Sequence, residues 1–108
     1  MIDWERVADL KAEVGDDGFL EVIDLFLEET DEVIARLPRQ ADPVQMGRDL
    51  HFLKGSALNL GFREVAQMCQ DGERRSLTGA PVDVQGLLRL YGDSKRAFQA
   101  ALSQYSAA

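Results

Sequence analysis

Residues 50–61 read Leu50-His51-Phe52-Leu53-Lys54-Gly55-Ser56-Ala57-Leu58-Asn59-Leu60-Gly61. Wound as a helix at about 100° per residue, this stretch divides into two sides. With His51 set at zero, Leu50, Leu53, Ala57 and the preceding Met46 fall between about −100° and −160°, an apolar side that needs a core to cover it. His51 points the other way, into solvent. Asn59-Leu60-Gly61 supplies the end, because glycine readily takes the left-handed conformation that closes a helix. A helix apolar on one side predicts packing against other helices.

The flanking sequence offers those partners. Upstream, Pro43 suits the first turn of the same helix. Before it, Phe19, Leu20, Ile23, Phe26, Leu27, Thr30, Val33, Ile34 and Leu37 recur at three- and four-residue steps, predicting a long helix that starts at Asp16 or Asp17 and is stopped by Pro38. A short first helix is capped by Asp3, with Ile2 and Val7 placed as a hydrophobic staple. Trp4, Val7, Ala8 and Leu10 form its apolar side, and Gly15 ends it. Downstream, 62–78 reads as a fourth helix with Phe62, Val65, Ala66, Cys69 and Gly72 on its packing side and Gly79 as terminator. Asp83 caps a fifth, in which Val84, Leu87, Leu88, Tyr91, Phe98, Ala101, Leu102 and Tyr105 share a stripe, and Ser106-Ala107-Ala108 is expected to fray. No alternating β-branched run, internal repeat or low-complexity linker interrupts the pattern. Short connections favour antiparallel neighbours. The expected fold is therefore all-α: an antiparallel up-down four-helix bundle with a short additional N-terminal helix, one domain over residues 1–108.

Composition narrows the function. The 108 residues are 45% hydrophobic, enough for one modest core. Acidic residues outnumber basic ones 19 to 12, and the excess is concentrated in residues 1–42, with 13 acids against 4 bases. A general nucleic-acid binder needs a basic face, as does adsorption to an anionic membrane surface, so neither is expected. No apolar run approaches the ~18 residues of a membrane span. The first residues lack the charged and apolar regions of a signal peptide. A single cysteine, Cys69, cannot form an internal disulfide, and a reducing, cytoplasmic setting is expected. With one histidine and one cysteine the chain has only two good zinc ligands, so no metal site is expected. Neither a phosphate-cradling glycine loop nor a kinase signature set occurs, which argues against an ATP-dependent enzyme. Met1 and the short tail lead to the expectation of a free-standing chain rather than a domain excised from a larger kinase.

The bare side of the 43–60 helix carries the chemistry. Around His51 lie Val44 at about +20°, Leu58 at about −20°, Gly55 at about +40°, Gly47 at about −40° and Lys54 at about −60°. His51 thus has glycine at both i−4 and i+4, although each glycine inside a helix costs roughly 0.5–1 kcal/mol against alanine. That arrangement clears space for a second protein to reach the imidazole. Val44, Arg48 and Leu58 are candidates for its docking surface, and Lys54, one turn on, suits an anion held on the ring. Other residues have plainer readings. Ser56 lies toward the core edge with no nucleophile elbow around it. Cys69 falls on an apolar stripe, Gly72 suits close helix contact, and Glu28-Glu29-Thr30-Asp31-Glu32 lacks the glycine and spacing of a calcium loop. Arg63, Arg74 and Arg75 either rim the docking face or are simply solvated.

The run His51-x-Leu53-Lys54-Gly55-Ser56-x-x-x-Leu60-Gly61 resembles the signature of the histidine-containing phosphotransfer (HPt) domains of bacterial and eukaryotic phosphorelays, with no departure inside the motif. The predicted helical order is similar to that family's over nearly the whole chain. The resemblance implies that His51 carries a phosphoryl group, that Lys54 lies beside it and that Gly55 keeps the approach open. Gly47 lies outside the motif, and its role rests on geometry alone. The implied partners are receiver domains of response regulators and a sensor histidine kinase or hybrid kinase. The receiver would supply the aspartate and a divalent metal such as Mg, and this chain, expected to be monomeric, would hold no cofactor of its own. A neutral imidazole is a competent nucleophile near pH 7, and phosphoryl transfer is mostly positioning and charge neutralisation, so such a carrier needs little else. Because the chain turns near residues 60–61, an antiparallel partner helix brings residues around 70–74 level with His51. Gln70 or Glu73 is then expected to hydrogen-bond the ring nitrogen that is not phosphorylated. The competing reading is a helical adaptor that binds a receiver or kinase without carrying phosphate; it would tolerate loss of His51 but not of Val44 or Leu58.

Overall fold

The computed structural model describes residues 2–107, with side chains as far as Ser103. Five α-helices follow in order: α1 Trp4–Val14, α2 Phe19–Arg36, α3 Pro43–Leu60, α4 Arg63–Leu77 and α5 Val84–Ala107. They form a helical bundle, 46 × 21 × 21 Å in extent. Among the described residues there is no strand, only an isolated bridge between Ile2 and Phe62.

Most boundaries follow from side chains that satisfy the exposed N–H groups of a first turn, or from glycines beyond a last one. Asp3 accepts from the Arg6 amide at 3.4 Å, Asp42 from Val44 at 3.0 Å and Asp83 from Gly86 at 2.9 Å. Gly61 and Gly79 both adopt φ +76°. Pro38 ends α2 through a 3-10 turn over Leu37–Arg39. The start of α2 departs from expectation: Asp16, Asp17 and Gly18 form a turn, and the helix begins at Phe19 without a side-chain cap. The physical reason is length. Gly15 closes α1, so the next three residues are needed to bring the chain round before α2 packs against it. The backbone of α5 is helical to Ala107; the expectations for Ala108 and for the Tyr105 side chain fall outside the described residues.

The core draws on every helix: Val7 and Leu10; Phe19, Ile23, Leu27 and Val33; Leu50, Leu53, Ala57 and Leu60; Val65, Ala66 and Cys69; and Leu87, Tyr91 and Phe98. Phe98 meets Phe62 edge-on at 5.4 Å between centroids and stacks on Trp4 at 5.6 Å. Two residues expected inside are not. Ala8 is exposed, and Leu20 is 50% exposed. On α2 the fully buried residues cluster near the direction of Ile23, and Leu20 sits about 80° from their centre, at the rim of the stripe.

The α3–α4 hairpin positions the polar groups described next. Its turn is tight: Phe62 N–H donates to Ala57 O at 2.7 Å and Gly61 N–H to Leu58 O at 3.2 Å. The N-terminal segment clasps this turn, with Asp3 N–H donating to Gly61 O at 2.8 Å, an Asp3–Arg63 ion pair at 3.0 Å and Arg6 donating to Asn59 at 2.7 Å. Beyond the turn the helices run antiparallel and close. A Cβ on Gly72 would lie 3.0 Å from Leu50 Cδ1, and one on Gly47 3.1 Å from Ser76 Oγ. On the other flank, Asp49 of α3 binds Arg36 of α2 at 2.8 Å and accepts from Gln45 at 3.1 Å. Asp31 of α2 accepts from Tyr91 and Lys95 of α5, both at 2.6 Å.

Candidate functional site

His51 stands at mid-length on α3 with its side chain 69% exposed. The antiparallel register brings Glu73 of α4 to the ring, where its Oε2 lies 3.1 Å from His51 Nδ1. The other carboxylate oxygen, Oε1, lies 3.0 Å from Lys54 Nζ. One carboxylate therefore binds the histidine and the lysine of the next turn together. Glu73 is only 23% exposed. Burial pushes its carboxyl up, but the Lys54 ammonium and then His51 more than offset this and hold it below its ordinary value. It is accordingly an anion near neutrality. A carboxylate only accepts, so the contact places the imidazole proton on Nδ1 and the ring's lone pair on Nε2. Among the described residues no hydrogen bond or ion pair is made to Nε2.

The surroundings of the ring are open and apolar. A Cβ on Gly55 would meet nothing within 4 Å. Gly47 differs: it borders the space beside His51, yet it is half-buried and close to Ser76, so its missing side chain also lets α4 approach α3. Val44, Arg48 and Leu58 are exposed on α3. Gln70 is exposed on α4, and of the two polar residues expected level with the ring it is Glu73 that reaches it. An open hollow of about 570 Å³ lies beside the imidazole, bounded by Pro43, Val44, Gly47, Arg48 and Phe52 of α3 and by Glu73 and Leu77 of α4. Leu77 is 84% exposed. A second hollow, of about 470 Å³, adjoins it across Arg48 and Phe52 and is flanked by Glu29 and Glu32 of α2.

Phe52 and Leu77 escaped the sequence reading. The signal for Leu77 was available, because extending the antiparallel register past Ser76 leads to it. Asp49 was also missed, since no local pattern announces a carboxylate that is 2% exposed and paired with a distant arginine. The plainer readings of three residues agree with their surroundings. Ser56 and Cys69 are buried, and Gly72 is in close contact with Leu50. The Cys69 thiol is pushed up to about 12, first by burial and then by the charge of Glu73, with Lys54 opposing. Among the described residues no group of three or more His, Cys, Asp or Glu is placed to hold a metal ion, and no helix is long and apolar enough to cross a membrane.

A family model described as the Hpt domain covers residues 21–108, from the third residue of α2 through α5, and leaves α1 outside. No curated protein and no solved structure matches.

Proposed function

Since the chain belongs to the Hpt domain family, whose members pass phosphoryl groups through a histidine in two-component signalling, we propose that it relays a phosphoryl group through His51. The donor is a sensor histidine kinase, a hybrid kinase or a receiver domain, and the acceptor is a response-regulator aspartate. The observation that carries this reading is the pairing of an exposed imidazole with an ionised carboxylate on its inner nitrogen, which leaves Nε2 as the outward nucleophile.

In the forward step the Nε2 lone pair attacks phosphorus, the N–P bond forms, and the bond from phosphorus to the donor atom breaks. Lys54 lies one turn from the ring and neutralises charge on the phosphoryl oxygens. The receiver domain brings the aspartate and a divalent metal such as Mg, and this chain contributes position: a fixed ring, a nearby cation and a surface to dock on. Val44, Leu58, Phe52 and Leu77 supply apolar area, Arg48 supplies charge, and Gly55 gives clearance. The chain is thus a carrier rather than an enzyme, acting as a monomer in the cytoplasm.

His51→Gln tests the assignment. The variant keeps its helix content by circular dichroism and takes up no label from a phosphorylated receiver. Undiminished labelling would move the site elsewhere.

A further inference from the structure

We propose that Arg48 is a second cation of the transfer site, a catalytic residue whose guanidinium binds the phosphoryl oxygens while the group is on His51. This rests on the phosphocarrier reading above and deepens it, because Arg48 then touches the group in transit and not the docking partner alone.

A phosphoryl group on a side chain brings about two negative charges and three strong acceptor oxygens. Lys54 does not meet that demand by itself. Its Nζ lies 3.0 Å from Glu73 Oε1, and the two side chains are only 26% and 23% exposed. The lysine turns to an incoming oxygen only by sharing its charge with a carboxylate that is shielded from water and needs a partner. Arg48 carries no such commitment. It is exposed on α3, and among the described residues it forms no ion pair or hydrogen bond. Glu29 and Glu32 of α2 border the second hollow with it but are not paired to it.

Position favours the arginine as well. Arg48 stands one turn before His51, and residues three apart on a helix are neighbours on its surface. Helical side chains lean toward the N-terminus, which carries the imidazole over the turn of Gly47 and Arg48. The hollow beside the ring is accordingly bounded by Arg48 and not by Lys54. Among the described residues Arg48 is the one cation on its wall, and apart from His51 and Glu73 the rest of that wall is uncharged. A guanidinium stays charged throughout the working pH range, and its forked N–H donors match two oxygens of one phosphoryl group.

A small donor separates contact with the phosphoryl group from docking, because it has no surface to dock. Nε2 attacks the phosphorus of potassium phosphoramidate, the new N–P bond forms, and the old P–N bond breaks to release ammonia. The initial rate of labelling on His51 is followed by ³¹P NMR in the full chain. Arg48→Ala keeps wild-type helix content by circular dichroism and takes up label about tenfold more slowly, the loss of one charged hydrogen-bonding partner. Arg48→Lys, which keeps the charge without the fork, recovers part of the rate. Arg89→Ala removes an equal charge from an exposed site on α5 outside both hollows and leaves the rate at the wild-type value. A wild-type rate for Arg48→Ala with phosphoramidate overturns the proposal, and if transfer from a phosphorylated receiver is slowed all the same, Arg48 is a docking residue only. An equal loss in Arg89→Ala also overturns it, reducing the effect to overall charge. Either result leaves the phosphocarrier reading intact. Failure of the wild type to take label on His51, with His51→Gln equally blank, overturns both.

Discussion

A glycine in mid-helix lowers stability, and at Gly55 no packing within the bundle explains it, because a side chain there would meet only open space. Gly55→Gln should therefore stabilise the fold by about 0.5 kcal/mol through helix propensity, a rise of a few degrees in Tm. It should also obstruct a partner approaching His51 and slow phosphoryl exchange by at least about tenfold, equivalent to about 1.4 kcal/mol. Thermal denaturation beside a transfer assay checks the pair, and a variant that unfolds would make Gly55 a packing residue. Gly47 does not share this expectation, since a Cβ there presses on Ser76. Single residues were legible where a helical wheel suffices, as for His51, Lys54 and Gly55. Phe52 was missed because an exposed apolar residue has no meaning until the hollow it borders is known, and Leu77 because it lies beyond the stretch of α4 that is level with the ring. Asp49 was missed because its partner, Arg36, lies on another helix.

At the scale of elements, the α3–α4 hairpin determines what meets His51, and its turn is the constraint on that hairpin. Gly61 has φ +76°, and a Cβ there would lie 2.6 Å from the Asp3 carbonyl oxygen. Gly61→Ala meets both the left-handed strain and the clash, for a loss of about 2–4 kcal/mol and a fall in Tm of more than about 10 °C. Thermal denaturation checks this; a loss under about 1 kcal/mol would show that the clasp yields easily. Helix ends were readable where one residue has one job, as at Asp3, Pro43, Gly61 and Gly79. The start of α2 was not, because two aspartates ahead of an apolar run look like a cap when they are part of the connection from α1. Leu20 was misplaced for a related reason: periodicity gives the direction of a stripe better than its width.

For the molecule as a whole, acidity matters most where charges cross between helices. Burial alone would push the Asp49 carboxyl up; Arg36 foremost, helped by Gln45, reverses this and holds it below the ordinary carboxylate range. A group whose acidity is strengthened by folding contributes its stability above its unfolded value, about pH 4, and loses it as pH falls through the lower folded value. Asp49→Asn should cost about 2 kcal/mol near neutrality, a figure moderated by the half-exposed Arg36. The deficit should shrink as the wild type is acidified toward about pH 3. Urea midpoints at the two pH values measure it, and a constant deficit would remove Asp49 from the acid response.

The clasp of Asp3 on the α3–α4 turn has a consequence for any domain fused ahead of this bundle. It fixes the point where any upstream segment leaves the bundle, beside Gly61. Ten residues of helix separate that point from His51, about 15 Å along α3. A module tethered there by about ten flexible residues would sweep the imidazole at a high effective concentration, so a fusion at this end would favour exchange with its own attached domain over free competitors.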